Sequence, residues 1–255
     1  PPAVAPAPAS PAPSATMSPD ELKELERRPG ATPALAQREL PPAAPVAGLA
    51  GAPGPSPIAG PDDALVKLVV FSDFQCPVCR RAAEPVKQLL REFGGDLQVI
   101  WKHNALTAHA NAEGAAIAAV AAQRQGKFWE FHDLLFENNA RLGASDLEGY
   151  AARLGLDLER FKKDLADPTV KAQVDYERSL AESLEARGTP SFFVNGMKNV
   201  GWGSYVGIRS QVRRALEKAQ AKVAAGTPRA EVAALEAAAM GDEGKRLAAA
   251  VFGTK

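Results

Sequence analysis

Apolar residues fill Leu65-Val66 and Leu68-Val69-Val70-Phe71, broken only by Lys67, and this run predicts a strand. The period changes in Arg80–Leu90, where apolar positions recur at helical spacing, so strand is followed by helix. Leu97-Gln98-Val99-Ile100-Trp101 is a short apolar run of the kind a buried strand carries. Strand, helix and strand in that order imply parallel pairing and a right-handed crossover. A long helical region comes next, over Ala108–Gln125, Lys127–Glu137, Asp146–Leu154, Leu158–Leu165 and Pro168–Ala186. Its cluster of Phe128, Trp129, Phe131, Leu134, Leu135 and Phe136 reads as core rather than as a cofactor site. Strand signals return in Ser191–Val194 and Met197–Val200, and the Asn195-Gly196 pair between them is a strong signal for a tight antiparallel hairpin. A helix over about Tyr205–Ala225 follows, and Thr227-Pro228 opens an alanine-rich tail with further helices. The element order is β-α-β, a helical insertion, then β-β-α, an α/β arrangement.

Proline marks where the folded part begins. Of the 21 prolines in 255 residues, 16 lie within residues 1–61. Pro1-Pro2-Ala3-Val4-Ala5-Pro6-Ala7-Pro8 and Gly51-Ala52-Pro53-Gly54-Pro55-Ser56-Pro57 read as a semi-extended tether. Within it, Ser18-Pro19-Asp20-Glu21 has capping-box spacing, so residues 18–28 form either a short helix or a solvated charged segment. The expected division is a tether over 1–61, a domain over 62–222 with its helical insertion at about 105–187, and a helical tail over 223–255. A 46% hydrophobic content suffices for one substantial core. Lys+Arg and Asp+Glu both number 30, so no basic stripe suited to nucleic acid or an anionic membrane is expected. No apolar run approaches transmembrane length. The chain begins at Pro1 rather than methionine, which leaves room for a removed leader or an anchor.

The chemistry concentrates in Cys76-Pro77-Val78-Cys79, which holds the chain's two cysteines. They stand at the junction of the first strand and first helix. Unpaired N–H groups and the positive end of the helix dipole favour a thiolate there, which lowers the thiol pKa and makes it a nucleophile toward disulfides. Cys76 precedes the helix and is expected to be the exposed, attacking sulfur. Cys79, one turn further in, would resolve the mixed disulfide. Pro77 is tolerated because the first turn has no partner for its N–H. A structural disulfide is the first alternative, yet a ring this small removes little unfolded-state entropy. A metal site is the second, yet two cysteines supply half of the usual ligands, and His103, His109 and His132 add no tight pair. The absence of cysteines beyond the pair fits an oxidising compartment.

Three stretches together resemble the bacterial DsbA family of thiol–disulfide oxidoreductases, which has a thioredoxin fold with an inserted helical domain. They are Phe71–Cys79, Gly126–Phe136 (Gly-Lys-Phe-Trp-Glu-Phe-His-Asp-Leu-Leu-Phe) and Gly188–Gly196 (Gly-Thr-Pro-Ser-Phe-Phe-Val-Asn-Gly), spread over roughly 62–222, about two thirds of the chain. The resemblance implies disulfide exchange with cysteine-containing protein substrates, a redox partner protein that resets the pair, and no metal or other cofactor. It implies a periplasmic, cell-envelope or secreted location in a bacterium; the tether, which the resemblance does not cover, suits a secreted protein or one tethered to a membrane. It places Thr189 and a cis Pro190 opposite the cysteines, where the Thr189 backbone would pair with an extended substrate. Pro77 and Val78 would tune the thiolate. Strongly oxidising relatives carry histidine at the Val78 position, with a thiol pKa of about 3.5 and a potential of about −120 mV, so valine implies a weaker oxidant. Thioredoxin carries a buried acid on its first strand, where Val70 stands here, leaving Asp73, Glu84 and Lys102 either as candidates to take the Cys79 proton or as solvated charges; His103 either lines the site or is a satisfied structural histidine. Competing readings are a disulfide reductase or isomerase, and a redox-inactive thioredoxin-fold adaptor, the last disfavoured by two intact cysteines.

Overall fold

The computed structural model describes residues 54–252. The tether reading up to residue 53, including the helix at 18–28, therefore lies outside the described residues.

Five strands form one mixed sheet in the order β1-β3-β2-β4-β5. They are β1 (Ile58–Ala59), β2 (Val66–Ser72), β3 (Leu97–His103), β4 (Ser191–Val194) and β5 (Met197–Val200). β2 and β3 are parallel, with Val66 opposite Leu97 and Val70 opposite Trp101. Helix α1 (Pro77–Phe93) makes their crossover. The pairs β2·β4, β4·β5 and β1·β3 are antiparallel. Every residue of β2 and β3 is buried, as central strands of a covered sheet require. The polar members find partners: Lys67 donates to Gln98 Oε1 at 2.8 Å and to the Asp62 carbonyl at 2.9 Å.

Alternation along β2 divides the core. Val66, Leu68 and Val70 pack with Ala82 and Leu89 of α1 and with Ile208 and Val212 of α7 (Tyr205–Ala224). Val69 and Phe71 point the other way, toward Leu180 and Leu184 at the end of α6 (Pro168–Ser183) and toward Leu247 and Val251 of α9 (Gly241–Val251). The alanine-rich tail is thus structural: α8 (Arg229–Ala238) and α9 fold back, and α9 covers part of one sheet face.

Between β3 and β4 the chain builds a helical layer of α2 (Ala112–Gln123), α3 (Phe128–Glu137), α4 (Ala144–Arg153) and α5 (Leu158–Leu165), followed by α6. Small side chains let α2 sit at its centre, where Ala115, Ala118, Ala119, Ala121 and Ala122 are inaccessible. Phe131 of α3 and Phe161 of α5 meet with ring centroids 5.8 Å apart. The same cluster includes Phe74, Cys76, Cys79 and Trp101, so the cysteine pair lies at the seam between sheet and helical layer.

The Asn195-Gly196 turn forms as its sequence dictates, with φ of 44° and 89°. Asn195 is also a buried clasp: Oδ1 accepts from the Lys67 N–H at 2.8 Å, and Nδ2 donates to the Leu65 carbonyl and to Glu236 of α8. Gly196 is required twice over, because a Cβ there would lie 2.6 Å from the Ala237 backbone.

One boundary moves. Residues up to 61 read as tether, yet Ile58 and Ala59 are 2% exposed and pair with Ile100 and Val99 at the free edge of β3. Trp129 Nε1 secures this strand by donating to the Ile58 carbonyl at 2.9 Å. Proline density hides so short a strand, because two residues carry no periodicity.

Candidate active site

Cys76 occupies the N-cap of α1 in extended geometry (φ −70°, ψ 121°), and Pro77 sits in the first turn, where its missing N–H costs nothing. The approach to the helix is fixed by Asp73. Its Oδ1 accepts from the Gln75 N–H at 2.7 Å, while Oδ2 accepts from the Leu106 N–H at 3.0 Å and faces His109 Nδ1 at 2.7 Å. The Asp73 carbonyl accepts from the Cys76 N–H at 3.2 Å. Phe74 is anchored beneath by its stack on Trp101, centroids 5.0 Å apart, and by Asn139 donating to its carbonyl.

Both cysteines are free thiols. Neither is open to solvent: Cys76 is 5% exposed and Cys79 2%, which corrects the expectation of an exposed attacking sulfur. The loop Gly188-Thr189-Pro190 closes over the pair, and the Cys76 thiol donates to the Thr189 carbonyl at 3.5 Å. The Thr189-Pro190 bond is cis. The Thr189 hydroxyl is buried without a hydrogen-bond partner while Cys76 is a thiol; ionisation of Cys76 supplies an acceptor beside it.

The two sulfurs are driven apart electrically. A hydrogen bond from Cys79 does most to bring the Cys76 thiol down, to about 5, against the upward push of burial. The Thr189 side chain and the backbone N–H groups of Cys79 and Val78 act in the same direction, as expected at a helix N-terminus. Burial pushes the Cys79 thiol far up, its bond to Cys76 adds to this, and the Ser72 hydroxyl opposes it. One acidic thiol beside one reluctant thiol is an arrangement able to supply an attacking and a resolving sulfur.

The other candidates are placed elsewhere. Asp73 is committed to the loop just described. Glu84 is exposed and paired with Arg91 at 2.7 Å. Lys102 is buried on β3 in an ion pair with Glu177 of α6 at 3.1 Å, and Glu177 also accepts from the His103 N–H at 2.7 Å. His103 is buried, accepts from Trp101 Nε1 at 3.3 Å, and burial lowers its imidazole to about 4. Val70 instead borders a narrow cavity of about 40 Å³ shared by Ser72, Cys79, Pro190, Lys87, His132 and Asp133. The sequence points to His132 only as a metal ligand without a pair, and does not single out Lys87 or Asp133. A signal existed: Cys79, Ala82, Ala83, Val86, Lys87 and Leu90 lie at helical spacing and all border the cavity. Among the described residues, no group of three or more His, Cys, Asp or Glu side chains clusters to hold a metal.

The profile of the DSBA-like thioredoxin domain matches residues 67–211, more than half of the chain. Among solved structures, a thioredoxin-like oxidoreductase from Silicibacter pomeroyi DSS-3 is 30% identical, with a TM-score of 0.57 over 65% of this chain and 92% of that one. The catalytic domain of Proteus mirabilis ScsC shares the fold at 24% identity, with a TM-score of 0.55 over 64% of this chain and 89% of that one. Among curated proteins, the Na(+)/H(+) antiporter NhaA 1 of Salinispora arenicola is 43% identical over 145 residues, 56% of this chain and 22% of the antiporter. The Na(+)/H(+) antiporter NhaA 3 of Salinispora tropica is 38% identical over 170 residues, 66% of this chain and 26% of the antiporter. The chain thus spans about a quarter of the length of these curated relatives. Among the described residues, no helix is long and apolar enough to cross a membrane.

Proposed function

This chain belongs to the DSBA-like thioredoxin domain family of thiol–disulfide oxidoreductases, and we propose that Cys76 and Cys79 exchange disulfides with cysteines of other proteins. The observation that supports this most is the opposed shift of the two thiols, Cys76 to about 5 and Cys79 upward. At neutral pH the Cys76 thiolate attacks a substrate disulfide, forming a mixed disulfide and releasing one substrate thiolate. Cys79, once deprotonated, attacks the Cys76 sulfur; the Cys76–substrate bond breaks, the second substrate thiolate leaves, and the Cys76–Cys79 disulfide forms. The substrate gains two electrons that the pair loses. In the opposite direction a substrate thiolate attacks the Cys76 sulfur of the disulfide and Cys79 leaves. A second substrate thiolate then attacks the substrate sulfur of the mixed disulfide, Cys76 leaves with the bonding pair, and the substrate disulfide forms. Reductase and isomerase use the same steps and differ in poise and partner.

Thr189 and Pro190 would receive the substrate beside Cys76, with Thr189 backbone groups pairing to an extended segment. Pro77 and Val78 would set the poise. The place of action we assign is the periplasm or cell envelope: a chain whose two cysteines both belong to the site has no stray thiols to mispair there. The likeness to a part of antiporter chains supports a position at a membrane face, with a separate redox protein resetting the pair.

Equilibration with glutathione mixtures, read by thiol alkylation and mass, tests the reading. The pair should titrate as one two-electron couple with a potential more negative than about −120 mV, and the oxidised protein should form disulfides in a reduced substrate protein. A pair that stays reduced across the whole glutathione range, with no transfer to substrate, would leave the adaptor reading in its place.

A further inference from the structure

Cys79 poses a problem of proton supply. Its sulfur is buried, yet it must lose a proton to attack the mixed disulfide and regain one when it leaves the Cys76–Cys79 disulfide. Asp73 and the Lys102–Glu177 pair are occupied elsewhere. The cavity that Cys79 borders offers another outlet. Its sheet wall is apolar at Val70 and Val99, and the titratable side chains around it besides Cys79 are Lys87, His132 and Asp133. Its volume of about 40 Å³ has room for roughly three waters at about 10–15 Å³ each.

We propose that His132, positioned by Asp133 and Lys87, exchanges the Cys79 proton across this cavity in each direction of disulfide exchange; the assignment rests on the thiol–disulfide function above. His132 Nδ1 lies 2.9 Å from Asp133 Oδ1, and Asp133 Oδ2 lies 2.6 Å from Lys87 Nζ. An ionised Asp133 makes Nδ1 the protonated nitrogen and leaves Nε2 basic. Burial would raise the Asp133 carboxyl, but bonds from His132 and Lys87 hold it below its usual range. Burial lowers His132, Asp133 opposes, and Lys87 adds to the lowering, so the ring is neutral and can accept. The charged and titratable groups facing it are Asp133 on its own helix, Lys87 and Cys79 from α1, and His103 from β3. Trp101 and Phe136 present edge-to-face rings with centroids 4.8 and 4.9 Å away, which fixes the imidazole. The Lys87 and Asp133 side chains are 31% and 35% exposed, so the buried end of this row connects to solvent.

In the step itself, the Cys79 S–H proton passes through cavity water to His132 Nε2. The Cys79 thiolate then attacks the Cys76 sulfur, and the substrate leaves with the electron pair of the broken S–S bond. In reverse, His132 returns the proton to the departing Cys79 sulfur.

Rapid mixing of the reduced protein with a disulfide-linked peptide, quenched in acid and read by mass, separates mixed-disulfide formation from its resolution. In His132→Gln, resolution should slow by roughly 10²-fold, the usual scale of acid–base assistance, and should rise steadily with pH. Formation and the Cys76 thiolate titration should be unchanged. Asp133→Asn, at a half-exposed position, should slow resolution in the same sense by about tenfold, and it carries the test alone if His132→Gln does not fold. Lys171→Gln alters an exposed lysine of α6 that pairs with Asp175 and Glu113 and does not border the cavity, and it should leave resolution at the parent rate. Parent-like resolution in Asp133→Asn and any folded His132→Gln, equal slowing in Lys171→Gln, or slowing of both steps with a shifted Cys76 titration would each overturn the assignment. A parent protein that forms no mixed disulfide would instead overturn the underlying function, and the relay with it.

Discussion

Replacing Cys79 with alanine should raise the Cys76 pKa, because the Cys79 thiol is the strongest single influence holding Cys76 at about 5. A hydrogen bond to a charged acceptor is worth about 1.5–3 kcal/mol, and one pKa unit is about 1.36 kcal/mol. Removing the donor therefore moves Cys76 up by about 1–2 units, to about 6–7. The Thr189 side chain and the backbone N–H groups of Cys79 and Val78 remain and keep it below an ordinary thiol. Cys79→Ser retains a donor of similar reach and should leave the value near 5. The sign of the stability effect follows. A thiol whose folded value is depressed stabilises the reduced fold fully above the unfolded value of about 8.5, and that stability is lost as pH falls through the folded value. The lower edge of this window, near pH 5 in the parent, should move up in Cys79→Ala and stay in Cys79→Ser. Thiolate absorbance against pH for the parent and both variants is the assay. An alanine variant that titrates at the parent value would show that Thr189 and the helix terminus set the thiolate, and would refute the assignment to the Cys79 hydrogen bond.

Val78→His places a donor and a positive charge next to the Cys76 sulfur; it should lower the pKa further and make the couple more oxidising by about 30 mV per unit, read by glutathione equilibration. Glu177→Gln leaves Lys102 buried without its counter-charge, and denaturant unfolding should show a loss of about 3–5 kcal/mol, largely recovered in Lys102→Met/Glu177→Gln, where the amide oxygen still accepts from the His103 N–H. Burial holds His103 neutral to about pH 4; this stability is complete above the unfolded value of about 6.5 and is lost as pH falls to 4, about 3 kcal/mol in all. Unfolding curves in His103→Phe should lose most of that slope between pH 6.5 and 4.

What the sequence revealed was whatever repeats along the chain. Val66–Ser72, Leu97–His103 and the hairpin about Asn195-Gly196 carry local signals strong enough to place the sheet and its parallel crossover. The cysteine spacing pointed to the start of α1, where Cys76 caps the helix and Cys79 lies one turn in. Properties that depend on distant segments meeting were not legible. Ile58–Ala59 becomes a strand because β3 has a free edge, and α9 becomes part of the core because β2 offers Val69 and Phe71 to it. Cys76 is covered because a loop more than a hundred residues later folds over it. Asp73, Glu84 and Lys102 looked equivalent as charges, and their roles separated only once the loop, the exposed α1 face and α6 supplied different partners. The cavity row of Lys87, His132 and Asp133 joins two helices that sequence periodicity treats one at a time.

Mass spectrometry of mixed disulfides formed by single-cysteine variants tests the central claim most directly. Cys79→Ala, which keeps the Cys76 nucleophile below an ordinary thiol and lacks the sulfur proposed to resolve, should accumulate covalent complexes with substrate proteins, while Cys76→Ala should accumulate almost none. Equal trapping by the two variants, or trapping through Cys79 alone, would contradict the account.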